Sequence, residues 1–279
     1  IKLLLDGLFT QISHGSKQNI PQSVQLNAQL NVLLLANAPG DLTGQTKRVE
    51  KFRSLLASQD SKLSPQIFIL PVSNIDSLTV SKQKEALEWI NKNIGLVVAM
   101  GGDDIDTHIY KEALTFSRNI NTFRDASEQK ILESFINYGK GFVFGVCRGH
   151  QLVSAIHGYK LIQDIVHDWS NQVGHSDHWH KIQTIKTSHS FLRKAMGIST
   201  ELIVNSLHHQ SVVYHKNGPL ELAAQSEDGI TEALEFKSGK GFTTQFHPEF
   251  MDNELGGNVL KFAVEKAIDL RVQCRNQFL

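Results

Sequence analysis

Cys147 is the residue of this sequence best suited to covalent catalysis. It lies within Gly145-Val-Cys147-Arg-Gly149-His-Gln151, directly after an apolar segment and directly before a helical pattern. Glycines on either side of the cysteine permit a tight strand-to-helix turn that exposes the thiol at the edge of a sheet, and the helix N-terminus stabilises a thiolate. The sequence therefore predicts a nucleophilic cysteine. The alternative is a cysteine that acts only as a small buried hydrophobic residue.

A base for this cysteine is offered by His247-Pro-Glu249, which follows the apolar segment from Gly241 to Phe246. Because the carboxyl ends of parallel strands meet at one edge of a sheet, the two motifs are expected to lie together. His247 would accept the proton of Cys147, and Glu249 would orient the imidazole and stabilise its cation. A lone histidine at a strand end is usually structural, and only the pairing with the cysteine motif favours catalysis.

A third motif, Met100-Gly101-Gly102-Asp103-Asp104-Ile105, also follows an apolar segment. Paired glycines allow the backbone to come close to a ligand. We predict that the backbone amides of Gly102 and Arg148 form an oxyanion hole for a tetrahedral intermediate. A plain turn is the alternative interpretation of the glycine pair.

The elements that must position these motifs alternate between apolar strands and amphipathic helices. Such alternation is typical of a parallel sheet covered on both faces. We predict an α/β fold with a mostly parallel central sheet, one catalytic domain at residues 31–279, and an N-terminal extension at residues 1–30 without an assigned function. The predicted strands are 31–36, 66–71, 95–100, 141–146, 181–186, 202–205, 222–225, 231–236 and 241–246, and the predicted helices are 47–58, 80–93, 128–138 and 258–272.

Composition and charge exclude several classes of function. The 28 basic and 28 acidic residues cancel, so electrostatic capture of nucleic acid or of an anionic membrane surface is not supported. No segment reaches the roughly 18 apolar residues of a membrane helix. The pair of cysteines favours a reducing compartment, and a cytoplasmic location is expected. The chain begins Ile-Lys-Leu rather than with Met, so a missing N-terminal segment or a removed signal peptide stays open.

Four ordered motifs together resemble the class I glutamine amidotransferase-like superfamily. Within it, the sequence from about residue 95 to 250 is most similar to γ-glutamyl hydrolases, in the bacterial branch that includes γ-glutamyl-γ-aminobutyrate hydrolase. The four motifs are Gly145-x-Cys147-x-Gly149-x-Gln151, His247-Pro-Glu249, Gly101-Gly102-x-Asp104-Ile105 and Val204-Asn-Ser-Leu-His-His-Gln210.

The resemblance implies a flavodoxin-like sheet, a γ-glutamyl thioester on Cys147, and no metal or organic cofactor. It also implies a set of substrate-binding residues, which are Gly101, Gln151, Ser206, Leu207 and His208. The segment from Asn205 to Gln210 also fits a solvated loop or a metal-binding fragment. The chain departs from the family pattern at Thr107, Ser154 and His157-Gly158, and these changes put the identity of the substrate in doubt.

Three functions remain open at this stage. The favoured one is a free-standing hydrolase whose partner is a small γ-glutamyl substrate. The second is a glutaminase subunit that passes ammonia to a separate synthase, and the third is a catalytically silent binding protein. The presence of Cys147, His247 and Glu249 argues against the third. A homodimer or a synthase is the protein partner that the family suggests.

Two further groups of residues are left outside the predicted site. The segment from His167 to His180 contains four histidines whose spacing resembles a zinc motif only superficially, so no metal is predicted. His175 and Trp179 are interpreted instead as walls of the substrate pocket. Arg124, Asp125 and Glu128 match a place where the family often has an Arg-Asp pair, and a surface ion pair is the alternative.

Overall fold

A computed structural model describes residues 10–11, 30–35, 54, 66–70, 75–169 and 173–276 of the chain. The strands are β1 (Thr10–Gln11), β2 (Asn31–Leu35), β3 (Gln66–Leu70), β4 (Leu96–Ala99), β5 (Phe142–Val146), β6 (Lys160–Ile162), β7 (Ser176–Thr184), β8 (Glu201–Leu207), β9 (Ser211–Val213), β10 (Leu220–Ser226), β11 (Thr231–Phe236) and β12 (Gly241–Thr244). The helices are α1 (Val80–Asn93), α2 (Thr122–Tyr138), α3 (Arg148–Ile156), α4 (Ile165–Asp168), α5 (Phe191–Ala195) and α6 (Glu254–Asn276), with a 3-10 turn at Pro248–Phe250.

Most of these strands form one large sheet in the order β1-β3-β2-β4-β5-β12-β11-β10-β7-β8. The five strands from β3 to β12 are parallel neighbours, which confirms the predicted α/β fold with a parallel central sheet. From β12 onward the sheet continues with antiparallel pairs, and β1 pairs antiparallel with β3 at the opposite edge. The antiparallel part follows from the short connections in the second half of the chain, since parallel neighbours need a crossover.

Hydrophobic layers cover both faces of the central strands. Along β2, Val32 and Leu34 belong to one layer, whereas Leu33 and Leu35 belong to the other. This alternation is what the period of two residues in a strand requires. Helices α5 and α6 pack on the first layer, and α1, α2 and α3 pack on the second. The prediction of helices on both faces is confirmed.

Several element boundaries differ from the prediction. Helix α2 begins at Thr122 rather than at residue 128, because the Asn121 side chain caps it by accepting a hydrogen bond from the Arg124 amide at 3.1 Å. Strand β7 begins at Ser176 and includes polar residues that apolar patterning misses. The short elements β6, β9, α4 and α5 were not predicted, since three to five residues show too little periodicity. Apart from the helical Ser54, the predicted helix at 47–58 lies outside the described residues.

The proposed boundary between an extension and a catalytic domain near residue 30 stays a prediction. Within the described part of the extension, Thr10 and Gln11 add a short strand to the sheet edge. Within the described ranges, none of the helices has the combination of length and apolar character that crossing a bilayer requires.

Candidate active site

Three adjacent strand ends bring the predicted catalytic motifs together. Strands β4, β5 and β12 are parallel neighbours, with Ala99 opposite Gly145 and Thr244 opposite Val146. The Gly-Gly, Cys147 and His247 segments therefore leave the sheet at the same edge. A Cβ atom added at Gly101 would lie 2.8 Å from His247 Cε1 and 3.5 Å from Cys147 Cβ, so a side chain there would collide with the imidazole.

Cys147 occupies the sharp strand-to-helix turn that its flanking residues predict. Its backbone has φ 50° and ψ −106°, a conformation that non-glycine residues rarely adopt and that often marks a functional position. The Cys147 amide donates to Thr244 O at 2.8 Å, which ties the turn to the end of β12. At Gly149 a Cβ atom would lie 2.0 Å from Ala99 O, so only glycine lets the start of α3 pack this close to β4. Cys147 is only 6% exposed, so the predicted exposure of the thiol at the sheet edge is wrong.

His247 lies between Cys147 and Glu249 and is almost completely buried. Its Nδ1 and Glu249 Oε1 are 2.9 Å apart. Burial lowers the pKa of His247, but the Glu249 carboxylate and the hydrogen-bonded Cys147 outweigh this and raise it to about 10. The site therefore favours an imidazolium beside the Cys147 sulfur at neutral pH.

Asn205 fixes the backbone of His247 from the neighbouring antiparallel part of the sheet. Its Nδ2 donates to His247 O at 2.9 Å, and its Oδ1 accepts from the His247 amide, also at 2.9 Å. This two-point clamp sets the direction in which the imidazole leaves the backbone. The sequence placed Asn205 in a substrate-binding motif, but this role depends on a contact between β8 and the residues after β12 that no local pattern reveals.

A buried network of two arginines and two carboxylates supports the other side of the site. The Arg124 guanidinium donates to Glu128 Oε1 at 2.7 Å and to the Met100 and Gly101 carbonyls at 3.2 Å each. Arg148 pairs with both Asp125 and Glu128. Arg124 and Arg148 are each 1% exposed. Their burial rules out the surface ion pair that the sequence left open as the alternative.

This network connects the residue after the predicted nucleophile to the predicted oxyanion loop. Burial raises the pKa of Glu128, but the two guanidinium groups outweigh it, and the resulting pKa lies below the usual value. Arg148 is also the first residue of α3, where helical amides lack intrahelical acceptors. The Arg148 amide thus lacks an intrahelical acceptor, as the predicted oxyanion role requires, while its side chain pairs with Asp125 and Glu128. Gly102, the other predicted donor, is exposed.

The predicted substrate-binding residues at this edge differ in how far their side chains are exposed. Gln151 is buried, and its amide donates to Gln210 O at 3.3 Å and to Gln245 Oε1 at 3.2 Å. Leu207 is partly exposed at the end of β8. The Ser206 hydroxyl donates to His175 O at 2.7 Å, and His208 is turned inward. Substrate contacts from this segment would therefore come from its backbone rather than from the Ser206 and His208 side chains.

One further contact joins the predicted oxyanion loop to the turn after β8. His209 Nε2 lies 3.0 Å from both carboxylate oxygens of Asp104, and the Arg118 amide donates to Asp104 Oδ2 at 2.8 Å.

Trp179 is 56% exposed, whereas His175 is buried and directed away from solvent. The prediction that His175 and Trp179 are both walls of the substrate pocket is therefore wrong for His175, which is not accessible.

Comparison with known proteins gives a consistent result. The profile of the peptidase C26 family matches residues 69–249. The glutamine amidotransferase-like protein YvdE of Lactococcus lactis subsp. lactis is 30% identical over 191 residues, which cover 67% of this chain and 75% of that protein.

Two solved structures share the fold at low sequence identity. The glutaminase domain of Trypanosoma brucei CTPS, solved with bound acivicin, has a TM-score of 0.63 at 13% identity and covers 86% of this chain and 94% of that one. A glutamine amidotransferase from Thermotoga maritima has a TM-score of 0.57 at 14% identity, with 86% and 99% covered. The fold of this chain is therefore the glutamine amidotransferase fold.

Proposed function

We propose that this chain, which belongs to the peptidase C26 family of class I glutamine amidotransferase-like proteins, hydrolyses γ-glutamyl amide bonds. Family membership supports glutamine amidotransferase or hydrolase activity in general. The finer proposal rests on one observation, the contact of Cys147 with a buried His247 whose pKa Glu249 helps to raise to about 10. A silent binding protein would not need this arrangement of charges.

In the acylation step, the Cys147 thiolate attacks the γ-carbonyl carbon of the substrate, and the carbonyl oxygen becomes an oxyanion. Backbone amides of Gly102 and Arg148 stabilise this oxyanion by donating hydrogen bonds. The His247 imidazolium then gives its proton to the leaving nitrogen, and the carbon–nitrogen bond breaks. Ammonia or an amine departs, and the γ-glutamyl group remains as a thioester on Cys147.

In the deacylation step, neutral His247 takes a proton from water as the water oxygen attacks the thioester carbonyl. The carbon–sulfur bond breaks, glutamate or a glutamyl product leaves, and the thiolate–imidazolium pair is restored. Because both steps need a reduced sulfur, we place the enzyme in a reducing compartment such as the cytoplasm.

The test is covalent labelling with 6-diazo-5-oxo-norleucine, a reactive glutamine analogue, followed by mass spectrometry of the intact chain. We expect one adduct on Cys147 and none in a Cys147→Ala variant, which should stay folded because little volume is removed. Turnover should be abolished in the same variant. Labelling at another residue, or normal turnover by Cys147→Ala, would refute the mechanism.

A second candidate function keeps the same chemistry but delivers ammonia to a synthase. It is favoured by similarity to anthranilate synthase component 2 of Archaeoglobus fulgidus, which is 30% identical over 127 residues that cover 46% of this chain and 62% of that protein. In that case the isolated chain would be labelled at Cys147 but would hydrolyse glutamine slowly until its partner is added. The free-standing hydrolase is preferred because the family profile that matches residues 69–249 is that of a peptidase family, and peptidases are hydrolases.

A further inference from the structure

Three histidines surround a single buried carboxylate behind the candidate active site. Glu232 lies on β11 and is 0% exposed. The distances to its Oε1 are 3.1 Å from His180 Nε2, 3.6 Å from His175 Nδ1 and 3.7 Å from His208 Nε2. The ligand atoms of His175, His180 and Glu232 all lie within 4.8 Å of one another. We call His175, His180, His208 and Glu232 the histidine cluster.

The outer nitrogen of each imidazole faces an oxygen that can only accept a hydrogen bond. His175 Nε2 is 3.0 Å from Asp228 Oδ2, His180 Nδ1 is 3.3 Å from Gly174 O, and His208 Nδ1 is 2.9 Å from Gln210 O. Each outer nitrogen must therefore carry the hydrogen. When an imidazole is neutral, its inner nitrogen therefore carries no hydrogen, and its lone pair is directed toward Glu232.

The inner atoms of the histidine cluster are poorly satisfied among the described residues. His180 Nε2 and Glu232 Oε1 are 3.1 Å apart and can share one proton, although not in good hydrogen-bond geometry, and His175 Nδ1, His208 Nε2 and Glu232 Oε2 have no partner. One proton shared by His180 and Glu232 leaves the other inner lone pairs unsatisfied, and further protonation would place imidazolium cations side by side, with ring centres 4.8 and 5.0 Å apart. A cation at the common centre would satisfy all of these atoms together.

We propose that the histidine cluster is a binding site for one divalent transition-metal ion, with Zn²⁺ as its resident. His175, His180 and Glu232 form its core, and His208 completes it as the fourth ligand. Zinc bonds of about 2.0–2.1 Å place neighbouring ligand atoms of a tetrahedron roughly 3.3 Å apart. The three imidazole nitrogens lie 3.1–3.7 Å from Glu232 Oε1, and the core ligand atoms lie within 4.8 Å of one another, so a small inward movement would complete the coordination. Imidazole-rich sites select zinc-like ions over Mg²⁺ and Ca²⁺, which prefer oxygen ligands.

The surroundings of the cluster match what a metal site needs. Ligating histidines usually donate their other nitrogen to a carboxylate or a backbone carbonyl, as all three do in this cluster. The charges of Glu232 and Asp228 together balance a divalent ion, with the imidazoles neutral. All four ligands are buried, which leaves no obvious position for a substrate. The site is therefore structural rather than catalytic.

The proposed ion would stabilise the part of the sheet that holds the candidate active site. His180 belongs to β7 and Glu232 to β11, whereas His175 directly precedes β7 and His208 directly follows β8. The His208 amide also donates to His175 O at 2.9 Å. Asn205, three residues earlier, clamps His247. The ion would thus fix the segment that positions the catalytic imidazole without touching the reacting atoms.

This proposal replaces the prediction that the chain binds no metal. That prediction considered the spacing of histidines within one segment, whereas the ligands come from three separate parts of the sheet. His178, which contributed to the apparent zinc spacing, is exposed on β7 and is not part of the cluster. The decisive ligand, Glu232, lies far away in the sequence and resembles any other strand residue.

The first test measures metal per chain by inductively coupled plasma mass spectrometry on untagged protein grown with zinc. We expect about one zinc ion per wild-type chain. Glu232→Gln and His180→Gln should bind close to none, and the exposed control His178→Gln should bind as much as the wild type. Cys147→Ala should also keep its zinc, which separates the cluster from adventitious zinc on the reactive thiol.

A second measurement uses only the wild-type chain and therefore tests the proposal even if the variants fail to fold. Wild-type protein is dialysed against a chelator, its thermal midpoint is recorded, and Co²⁺ is then added. We expect the midpoint to fall by roughly 5–10 °C and to recover with zinc, and Co²⁺ to give the visible absorption of a tetrahedral site. Zinc that is retained in Glu232→Gln, or wild-type chain that binds neither zinc nor Co²⁺, would overturn the proposal. Neither result depends on whether the γ-glutamyl hydrolase assignment is right.

Discussion

At the level of single residues, the proposed chemistry depends on the charge coupling between Cys147, His247 and Glu249. A buried imidazole alone would lose its proton easily, because burial lowers its pKa. The Glu249 carboxylate reverses this effect together with Cys147. The same imidazole must be protonated to release the amine and neutral to activate water. The Glu249 charge therefore decides over which pH range the acylation step can proceed.

Removing the charge of Glu249 should shift the pH range of activity. In Glu249→Gln the carboxylate no longer raises the pKa of His247, so this pKa falls from about 10 toward or below the ordinary 6.5. Since acylation needs the imidazolium, the alkaline limb of the kcat/KM profile should move to lower pH. The check is a profile with a γ-glutamyl amide substrate, with the exposed Glu254→Gln as the control. An unchanged alkaline limb would mean that Glu249 does not govern the proton on His247.

Asn205 is predicted to act through the position of His247 and not through the substrate. Asn205→Ala removes both hydrogen bonds to the His247 backbone, so the imidazole loses its fixed direction. We expect kcat to fall by about 10- to 100-fold while KM changes little, as is usual for a small misplacement of a catalytic group. Steady-state kinetics with substrate titration would show this split. A rise in KM with unchanged kcat would instead assign Asn205 to substrate binding.

At the level of elements, the buried ion network joins helix α2 to helix α3 and to the loop after β4. Arg148 belongs to α3, Asp125 and Glu128 to α2, and the carbonyls that Arg124 binds belong to the predicted oxyanion loop after β4. Each charge in this network is buried and is balanced by a partner. The network therefore keeps the nucleophile turn and the loop at a constant distance, provided that no partner is removed.

Loss of one carboxylate from this network should be strongly destabilising. Glu128→Gln leaves Arg124 and Arg148 with only Asp125 as a buried countercharge, and breaking a buried pair typically costs about 3–5 kcal/mol. Urea unfolding would measure this loss in the free energy of unfolding. The exposed Glu133→Gln on the same helix is the matched control and should change it by less than about 0.5 kcal/mol. Equal stabilities of the two variants would show that the network contributes little.

The sequence predicted the elements that carry strong periodicity and missed those held by tertiary contacts. Helix α1 was predicted with its observed boundaries, because apolar residues repeat with helical spacing over fourteen residues. The motifs at Cys147 and His247 were predicted to lie together, since each follows an apolar strand of one sheet. By contrast, the network around Glu128 and the histidine cluster around Glu232 join residues far apart in sequence. Their charged and polar side chains gave no sign that they would be buried.

At the level of the whole molecule, the parallel and antiparallel parts of the sheet have separate tasks. The parallel centre presents Gly101, Cys147 and His247 at one edge, as open α/β sheets commonly do. The antiparallel part supplies Asn205, which hydrogen-bonds the His247 backbone, and it also contains the histidine cluster. A site assembled in this way takes all of its proposed catalytic groups from one chain.

We therefore predict that the isolated chain is active without a synthase. With the proposed catalytic groups in contact, turnover of a preferred γ-glutamyl amine should reach a kcat/KM of about 10⁴ M⁻¹s⁻¹ or more, the lower end of the usual range for enzymes. The measurement is glutamate release from glutamine and from a panel of γ-glutamyl amines, with Cys147→Ala as the blank. Equal amounts of glutamate and amine should appear, since water is the only acceptor in the proposed deacylation. Rapid labelling of Cys147 by the glutamine analogue, combined with slow turnover of every substrate, would instead indicate a glutaminase that waits for a partner to align its site.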